Sequence, residues 1–383
     1  MLTVIIICFI LIYLLVIGLL VYGFDKVEEF KIQDLPAKTK FSVIIPFRNE
    51  AGNLPKLLNA MAKLNYPKSL FEVILVNDDS NDDSVAVIEN TLNSIALKKR
   101  FTRNKNIKII DNQRISDSPK KDAITSAIKV SKYNWIVTTD ADCISPKYWL
   151  DCFDEQIQIS STNCIVAPVT YHGKTSFFNR FQTLDFLSLQ GATIGSFGIK
   201  KPILCNGANF AYLKSEFNAL DGFKGNDTIA SGDDVFLLDK FLKKDASKVR
   251  YLKSKQVIVT TNPAENFKSL IHQRIRWASK TSQLNNWFTK FIGLVVILGN
   301  FVCVAFIPAI ILNLIAVKIA IALFIIKFCI DFLLLFKASR FFKQETYLLS
   351  FIISSFLYPA FNIGVFILSF FKSYRWKGRT SKK

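Results

Sequence analysis

Residues 135–142 read WIVTTDAD, a short apolar run that ends in two carboxylates one residue apart. Alternate residues of a strand point to the same side, so Asp140 and Asp142 can face one site where a buried strand leaves its sheet. In open α/β sheets, ligands collect beyond the carboxyl ends of strands, and a hard divalent cation there takes oxygen ligands and substrate phosphates. The stretch predicts such a site, although a D-x-D pattern also arises by chance about once in a chain of this length.

Apolar runs of strand length alternate with helical patterns before this stretch. The runs lie at 41–46 (FSVIIP), 71–76 (FEVILV) and 107–110, and a helix is predicted from 120 to 130. Elements of these lengths in alternation argue for a parallel α/β sheet with right-handed crossovers. From residue 146 to about 269 the pattern becomes mixed.

Two elements of the mixed region are clear enough to predict. A strand is expected at 164–169, and a helix with an aromatic face at 177–189. The segment CNGANFAY at 205–212 contains a glycine and is expected to be a loop that leads into a strand.

The apolar residues concentrate at the two ends of the chain. Half of the residues are hydrophobic, and the mean hydropathy of +0.27 is high for a soluble enzyme. Residues 2–22 form an apolar run long enough to cross a bilayer, and the charged residues after it favour an anchor over a removed signal peptide. Three further runs, at about 291–317, 319–336 and 347–371, approach spanning length.

These patterns divide the chain into five segments. They are an N-terminal transmembrane anchor at 1–23, a linker at 24–40, a catalytic domain at 41–285, a membrane region of about three apolar helices at 286–372 and a basic tail at 373–383. The sequence therefore predicts an integral membrane protein with bilayer lipid as a partner, expected in the cell (inner) membrane.

Basic residues give the expected orientation. Lys337, Arg340 and Lys343, between the last two apolar runs, are typical of the cytoplasmic side and agree with a catalytic domain in the cytoplasm. If the last run also crossed, the basic tail would lie outside. Either the rule is violated or that run is re-entrant or interfacial, and four spans are the favoured interpretation.

The charge and the rare residues exclude several classes of function. A formal net charge of +19 indicates a lysine-rich solvated surface or attraction to anionic headgroups and nucleotide phosphates. Nucleic acid is not an expected partner, because no finger, helix-turn-helix or arginine-rich motif accompanies the charge. Two histidines, and seven cysteines without a C-x-x-C pair, disfavour a zinc site, a disulfide framework and a Ser-His-Asp triad.

Two more acidic motifs follow the same logic. NDDS at 77–80 follows a buried strand, and a helix-capping loop is its structural alternative. GDDVFLL at 232–238 puts two adjacent carboxylates at the start of an amphipathic helix, where they favour the helix dipole or supply a general base. A carboxylate near a bound hydroxyl can take its proton as the hydroxyl attacks, and partial burial or a neighbouring acid raises its pKa.

The fourth motif is QRIRW at 273–277. On a helix, Gln273, Arg276 and Trp277 share one face and present an amide, a guanidinium and an indole together. A guanidinium suits pyrophosphate, and an indole suits a sugar face or an apolar wall. The alternative is a membrane-interface helix with an anchoring Trp and Arg.

In this order, the motifs resemble the signature set of membrane-bound family-2 glycosyltransferases, the group of cellulose, chitin and hyaluronan synthases and ceramide glucosyltransferases. The motifs are FSVIIPFRNE at 41–50, the Asp78 loop, DAD at 140–142, GDD at 232–234 and QRIRW at 273–277. The resemblance covers roughly residues 40–285 and extends to the presence of transmembrane segments on both sides of the domain. It implies a GT-A fold within the α/β class, a nucleotide-sugar donor, Mg²⁺ or Mn²⁺, and inversion at the anomeric carbon.

Carried over residue by residue, the resemblance first implies a donor site. Asp78 would hydrogen-bond the donor base, usually uracil, with Pro46 and Arg48 lining the same pocket. Asp142 would ligate the metal, and Asp140 would contact the donor sugar or nucleotide and is a second candidate ligand.

The resemblance also implies a reaction centre. Asp234 would be the catalytic base and Asp233 its support. The further substrate-binding residues that it implies are Glu50, Lys120, Asn209, Gln273, Arg276 and Trp277. Lys120 resembles the basic residue that opens the helix before the D-x-D strand, and the loop at 206–209 resembles the one that shapes the acceptor side. The last three residues would close over the pyrophosphate and the acceptor end.

Two departures from the family pattern affect these roles. Many members have two acids and a glycine where this chain has NDD, so a shift of one residue would move the role of Asp78 to Asp79. The pair before the helix is usually Glu-Asp, and Asp233 keeps the charge of that Glu with a shorter reach.

The predicted reaction is transfer of a sugar from a nucleotide-sugar, expected to be a UDP-sugar, to a lipid-linked or glycan acceptor at the membrane. Asp234 would deprotonate the acceptor hydroxyl while a cation and Arg276 offset charge on the leaving nucleoside diphosphate. The alternatives are a processive polysaccharide synthase, an inactive membrane scaffold with the same fold, and a metal-dependent phosphohydrolase that uses Asp78, Asp79 and Asp140.

Overall fold

A computed structural model describes residues 1–94, 106–173, 176–226, 231–283, 286–371, 374–376 and 379–381. Of the predicted basic tail, residues 373, 377–378 and 382–383 lie outside this range. Contacts group the chain into two compact units. The sheet unit comprises Glu29–Thr170 and Leu204–Asn262, and the helical unit comprises Met1–Glu28, Tyr171–Ile203 and Pro263–Lys383.

The strands of the described residues are, in chain order, β1 (Phe41–Phe47), β2 (Phe71–Asn77), β3 (Ile107–Asp111), β4 (Trp135–Thr138), β5 (Cys164–Val166), β6 (Val169–Tyr171), β7 (Phe210–Leu213), β8 (Val249–Tyr251), β9 (Val259–Thr261), β10 (Tyr374–Trp376) and β11 (Arg379–Ser381). The helices are α1 (Leu2–Lys26), α2 (Leu54–Ala62), α3 (Ser84–Asn93), α4 (Pro119–Val130), α5 (Trp149–Ile159), α6 (Phe177–Gly198), α7 (Lys214–Ala219), α8 (Val235–Asp245), α9 (Phe267–Gln283), α10 (Trp287–Ile311), α11 (Val317–Phe342) and α12 (Phe351–Phe371).

The sheet unit is built on a seven-stranded sheet with the order β3-β2-β1-β4-β7-β5-β8. Strands β1 to β4 are parallel, as the alternating pattern predicts. Strand β7 runs antiparallel to both β4 and β5, so the sheet is mixed beyond β4. Because of this antiparallel pairing, Phe210 at the start of β7 lies opposite Thr138 at the end of β4. The loop before β7 therefore shares an edge with the DAD motif.

The strands next to the site are apolar on both faces. All residues of β4, and all of β1 and β2 except Pro46 and Asn77, are buried. Parallel strands covered on both sides read as continuous hydrophobic runs, which is why the sequence reveals them. Glu72 is a charged exception inside β2, and its carboxylate accepts from the Ser42 hydroxyl and pairs with Lys108.

The helical unit contains helices long and apolar enough to cross a membrane. Four segments qualify, Leu2–Lys26, Trp287–Ile311, Val317–Phe342 and Glu345–Phe371, consistent with membrane association. The sequence analysis ends the third apolar run at 336, but α11 continues to Phe342. Lys337 and Arg340 consequently lie on the last turns of this helix and not in a loop, and Lys343 ends it in a left-handed conformation.

Helix α6 belongs to the helical unit, although its residues fall inside the segment 41–285 that the sequence analysis draws as one catalytic domain. It packs closely on α1 through glycines. A Cβ atom added to Gly195 would lie 2.2 Å from the carbonyl oxygen of Leu20, and one added to Gly23 would lie 2.1 Å from the carbonyl oxygen of Gly195. The helix predicted at 177–189 thus extends to Gly198, because its second half packs on the N-terminal apolar helix.

Candidate active site

The acidic motifs of the sheet unit lie at the carboxyl ends of parallel strands. Asp78 directly follows β2, and Asp140 and Asp142 follow β4. The motif that begins in β1 runs past the end of this strand to Arg48 and Glu50. Parallel strands end at one edge of a sheet, so these motifs meet there as the sequence analysis expects.

Lys120 joins two of the motifs. It stands in the first turn of α4, and its ammonium lies 2.7 Å from Asp140 Oδ1 and 3.1 Å from Asp233 Oδ2. Burial opposes the charge on Lys120, but Asp140 and Asp233 outweigh it, so the pKa of Lys120 is raised above its ordinary value. The side chain is therefore a permanent cation between two carboxylates.

Asp234 is held next to this centre by backbone donors. The amide of Gly207 donates to its Oδ2 at 3.2 Å, and the amide of Val235 donates to its Oδ1 at 2.8 Å. Asp234 thus caps the N-terminus of α8, where a carboxylate also interacts favourably with the helix dipole, the structural alternative given for this motif. A side chain at 207 would not fit, since an added Cβ would lie 2.9 Å from Asp233 Oδ2 and 3.5 Å from Lys120 Nζ.

The DAD motif offers a group of possible metal ligands. One ligand atom each from Asp140, Asp142 and Cys143 lies within 4.8 Å of the others. Thr261 donates from its hydroxyl to Asp142 Oδ2 at 3.2 Å, which orients this carboxylate. Burial, followed by the nearby acids, raises the pKa of the Cys143 thiol well above its ordinary value. Of these three side chains, the two carboxylates offer the oxygen ligands that suit a hard cation.

Asp78 lies in a polar pocket that includes residues the sequence analysis missed. Its Oδ1 accepts from Arg114 Nε at 2.9 Å and from Asn112 Nδ2 at 2.8 Å. Arg48 donates to the carbonyl oxygen of Asp78 at 2.8 Å. Asp78 is 4% exposed, whereas the side chain of Asp79 is 75% exposed. Asn112 and Arg114 follow β3, and their position just after a third parallel strand is the signal that could have found them.

Glu50 and Asn209 make contacts within the protein. Asn53 donates to Glu50 Oε2 at 2.7 Å, at the start of α2. The buried carboxamide of Asn209 accepts from Trp149 Nε1 at 2.9 Å and donates to the carbonyl oxygens of Pro168 and Val257. Asn209 thereby fixes the loop before β7, and direct contact of these residues with substrate stays a prediction.

The QRIRW motif lies on α9, in the helical unit. Gln273 Oε1 accepts from Arg274 Nη1 at 2.5 Å, and the guanidinium of Arg274 stands 4.2 Å from the centre of the Trp277 ring. The sequence analysis singled out Gln273, Arg276 and Trp277 and gave Arg274 no role. The placement of this motif against the acids of the sheet unit stays a prediction.

Known proteins resemble this chain in part of its sequence and in its fold. Residues 42–219 match the model of glycosyl transferase family 2. A solved structure of similar fold is the mannosyltransferase PcManGT from Pyrobaculum calidifontis in complex with GDP-Man and Mn2+, with a TM-score of 0.55, 15% identity, and coverage of 93% of this chain and 99% of that one. The fold is therefore GT-A, as predicted, and the match to glycosyl transferase family 2 covers less than half of the chain, residues 42–219.

Relatives with higher identity match over shorter segments. Poly(ribitol-phosphate) beta-N-acetylglucosaminyltransferase TarS from Staphylococcus aureus is 42% identical over 59 residues, 15% of this chain and 10% of TarS. Glycosyltransferase AglE from Haloferax volcanii is 32% identical over 112 residues, 29% of this chain and 33% of AglE. The matched segments thus span a tenth to a third of these relatives.

Proposed function

We propose that this glycosyltransferase moves a sugar from a nucleotide-sugar, with UDP-sugars as the expected donors, to a lipid-linked or glycan acceptor at the membrane, with inversion at the anomeric carbon. The observation that carries the proposal is the position of the Lys120 ammonium, within 3.1 Å of both Asp140 and Asp233. This one side chain links the motif expected to bind the donor to the pair that contains the expected base.

Asp234 is the proposed general base. Hydrogen bonds from the Gly207 and Val235 amides fix the orientation of its carboxylate. A carboxylate fixed next to the acceptor hydroxyl takes the proton as the oxygen attacks the anomeric carbon, a contribution of about 10²- to 10⁴-fold. The nucleoside diphosphate leaves from the opposite face of the sugar.

Asp142, with Asp140 as a second ligand, is the proposed holder of Mg²⁺ or Mn²⁺. The residues fit a hard cation, because carboxylate oxygens of both acids lie within 4.8 Å of each other. When bound, such a cation offsets charge on the leaving diphosphate. The solved PcManGT structure contains Mn2+ together with GDP-Man, which supports a divalent cation in this fold.

The donor base is proposed to bind around Asp78, Pro46 and Arg48. Arg114 is added to this pocket because its Nε donates to Asp78 Oδ1 and its guanidinium also pairs with Asp79. In the proposal, Gln273, Arg276 and Trp277 act on the pyrophosphate and the acceptor end, a role that the family resemblance supplies. Glu50 and Asn209 support the site through the loops they hold.

The acceptor is proposed to be membrane-associated because the described part of the chain has four helices long and apolar enough to span a bilayer. The protein is proposed to lie in the cell (inner) membrane, with its catalytic domain facing the cytoplasm. Transfer to a lipid or lipid-linked acceptor is preferred over synthesis of a long polymer, because four spans give little wall for a secretion channel.

The test is a donor panel with the purified protein in lipid nanodiscs. UDP-glucose, UDP-GlcNAc and GDP-mannose are each incubated with Mg²⁺ or Mn²⁺ and a membrane-lipid extract, and released nucleoside diphosphate and labelled lipid are measured. We expect one donor to yield equal amounts of nucleoside diphosphate and glycosylated product, and EDTA to stop the reaction.

Three outcomes would contradict the proposal. Release of inorganic phosphate without nucleoside diphosphate indicates a phosphohydrolase. A product of high molecular weight indicates a processive synthase. Absence of turnover with every donor and lipid extract, in a protein that still binds nucleotide, indicates a scaffold.

A further inference from the structure

Arg274, a position of QRIRW to which the proposed function gives no role, forms a buried ion pair with helix α6. Its Nε donates to Asp185 Oδ2 at 2.5 Å, and Arg274 and Asp185 are only 5% and 7% exposed. Both residues belong to the helical unit. Burying a charged pair so deeply between two helices costs free energy, because each ion loses its hydration.

The same guanidinium orients the two functional side chains beside it. Arg274 Nη1 donates to Gln273 Oε1 at 2.5 Å, and the centre of the Trp277 ring lies 4.2 Å from Arg274 Cζ. Tyr171 reinforces the arrangement, since its hydroxyl donates to Gln273 Oε1 at 3.3 Å. One face of the indole and the amide oxygen of Gln273 are therefore already engaged by Arg274.

Helix α6 carries matching contacts along a single face. Gln182 exchanges two hydrogen bonds with the backbone of Ala264, just before α9, at 2.9 and 3.1 Å. Asp185 pairs with Arg274, and the ring of Phe186 lies 5.8 Å from that of Trp277. Residues three and four apart on a helix share a face, so this face of α6 contacts the start of α9 and then the QRIRW motif.

We propose that Asp185 and Arg274 are positioning residues, which hold Gln273 and Trp277 in the orientation needed at the donor pyrophosphate. The inference rests on the proposed function of QRIRW. Packing alone does not require this pair, because apolar side chains of similar volume stabilise buried contacts as well or better. An apolar pair would, however, remove the hydrogen bond from Arg274 to Gln273 and the charged contact of Arg274 with the Trp277 ring.

The experiment compares two kinds of variant in nanodiscs. Asp185→Asn and Arg274→Gln break the pair, while the double variant Asp185→Leu/Arg274→Met replaces it by apolar side chains that keep the helices packed. For each protein, kcat and KM for the donor and the midpoint of thermal unfolding are measured. Glu72→Gln, which breaks a buried ion pair of the sheet unit, is the matched control.

We expect the double variant to unfold at or near the parental temperature and yet to lose about 100-fold in kcat, the cost typical of a misplaced catalytic group. The control is expected to lower the unfolding temperature and leave kcat unchanged. Because the pair acts partly through Gln273, Asp185→Asn should cost less activity in the Gln273→Ala protein than in the parent.

The outcomes separate this inference from the proposed function. If Gln273→Ala and Trp277→Ala keep the parental kcat, the role of QRIRW in the proposed function is wrong. If these two variants lose activity but the double variant at parental stability keeps it, only the positioning role of Asp185 and Arg274 is overturned. Additive losses in Asp185→Asn/Gln273→Ala would likewise contradict it.

Discussion

The ammonium of Lys120 lies 2.7 Å from Asp140 Oδ1, so a fixed positive charge sits on the first acid of the DAD motif. The same ammonium pairs with Asp233, and without it these two carboxylates would repel each other. We predict that Lys120→Met binds Mn²⁺ about tenfold more tightly in the absence of donor, because a competing cation is removed. Turnover is expected to fall because Asp140 and Asp233 lose the cation that links them.

Titration with Mn²⁺ followed by electron paramagnetic resonance measures this affinity without any reaction. Lys129→Met, in the last turn of the same helix and exposed, is the control and should leave Mn²⁺ affinity unchanged. Weaker Mn²⁺ binding by Lys120→Met than by the parent would contradict the idea that Lys120 competes with the metal.

Asp234→Asn is predicted to abolish transfer while nucleotide binding survives. Asparagine has the same size, and its amide oxygen can still accept the hydrogen bond from the Val235 amide. It cannot accept the proton of the acceptor hydroxyl, so kcat should fall by about 10²- to 10⁴-fold. Nucleoside diphosphate release measures turnover, and calorimetry measures binding. Asp239→Asn, on the same helix and paired with Lys243, is the matched control. A parental rate in Asp234→Asn would show that another group is the base.

Arg114→Ala is predicted to weaken binding of the nucleoside part of the donor. Its Nε donates to Asp78 Oδ1 at 2.9 Å, and hydrogen bonds to charged groups contribute about 1.5–3 kcal/mol. Calorimetry should therefore show at least about tenfold weaker binding of UDP and unchanged binding of inorganic pyrophosphate. The exposed Arg250 supplies the control Arg250→Ala. Equal loss for both ligands would place Arg114 at the phosphates and not at the base.

The parallel half of the sheet could be predicted because its strands are buried on both faces and read as continuous apolar runs. The position of the acids followed from it, since residues after β2 and β4 must reach the same edge. The antiparallel strand β7 could not be predicted with the same ease. The sequence of a four-residue strand such as 210–213 does not indicate which strand it pairs with, because its partners β4 and β5 are distant in sequence.

The remaining features could not be predicted because they depend on contacts between residues that are far apart in the sequence. Arg274 is one basic residue among many until Asp185, on another helix, is known to face it. Helix α6 has an aromatic pattern that suits a soluble domain equally well, and its contacts with α1 and α11 assign it to the helical unit. The candidate site could be predicted from local motifs. The residues that hold these motifs in place could not, because they are defined by tertiary contacts.

Glu72 gives a prediction for the dependence of stability on pH. Burial raises the pKa of its carboxyl, but the Lys132 amide, the Ser42 hydroxyl and Lys108 outweigh burial and lower it below 4.5, its ordinary value. Because the folded-state pKa is the lower one, this stabilisation is present above pH 4.5 and is lost as the pH falls through the folded-state pKa. Glu72→Gln should therefore be less stable than the parent at neutral pH.

Thermal unfolding followed from pH 7 down to about pH 3 checks the sign. The difference between parent and Glu72→Gln should be largest at neutral pH and should shrink as the medium becomes acidic. A difference that stays constant with pH would mean that the charge on Glu72 adds nothing and that only its hydrogen bonds matter.

The apolar helices contain a charged cluster that gives the last prediction. Asp331 on α11 accepts from the Tyr13 hydroxyl of α1 at 2.6 Å and pairs with Lys327 Nζ at 2.7 Å. Charged side chains in a membrane segment are costly unless paired. Asp331→Ala leaves Lys327 buried without its counter-charge, and breaking such a pair costs about 3–5 kcal/mol. Asp331→Leu combined with Lys327→Leu removes both charges and should regain most of that stability.

Unfolding in mixed micelles with increasing SDS measures these differences, with the exposed Lys318→Leu as the control. If the cluster only joins α1 to α11, the double leucine variant should also keep the parental rate of sugar transfer, because apolar packing replaces the polar contacts. A double variant that is stable but inactive would show instead that Asp331 and Lys327 take part in handling the membrane-embedded acceptor.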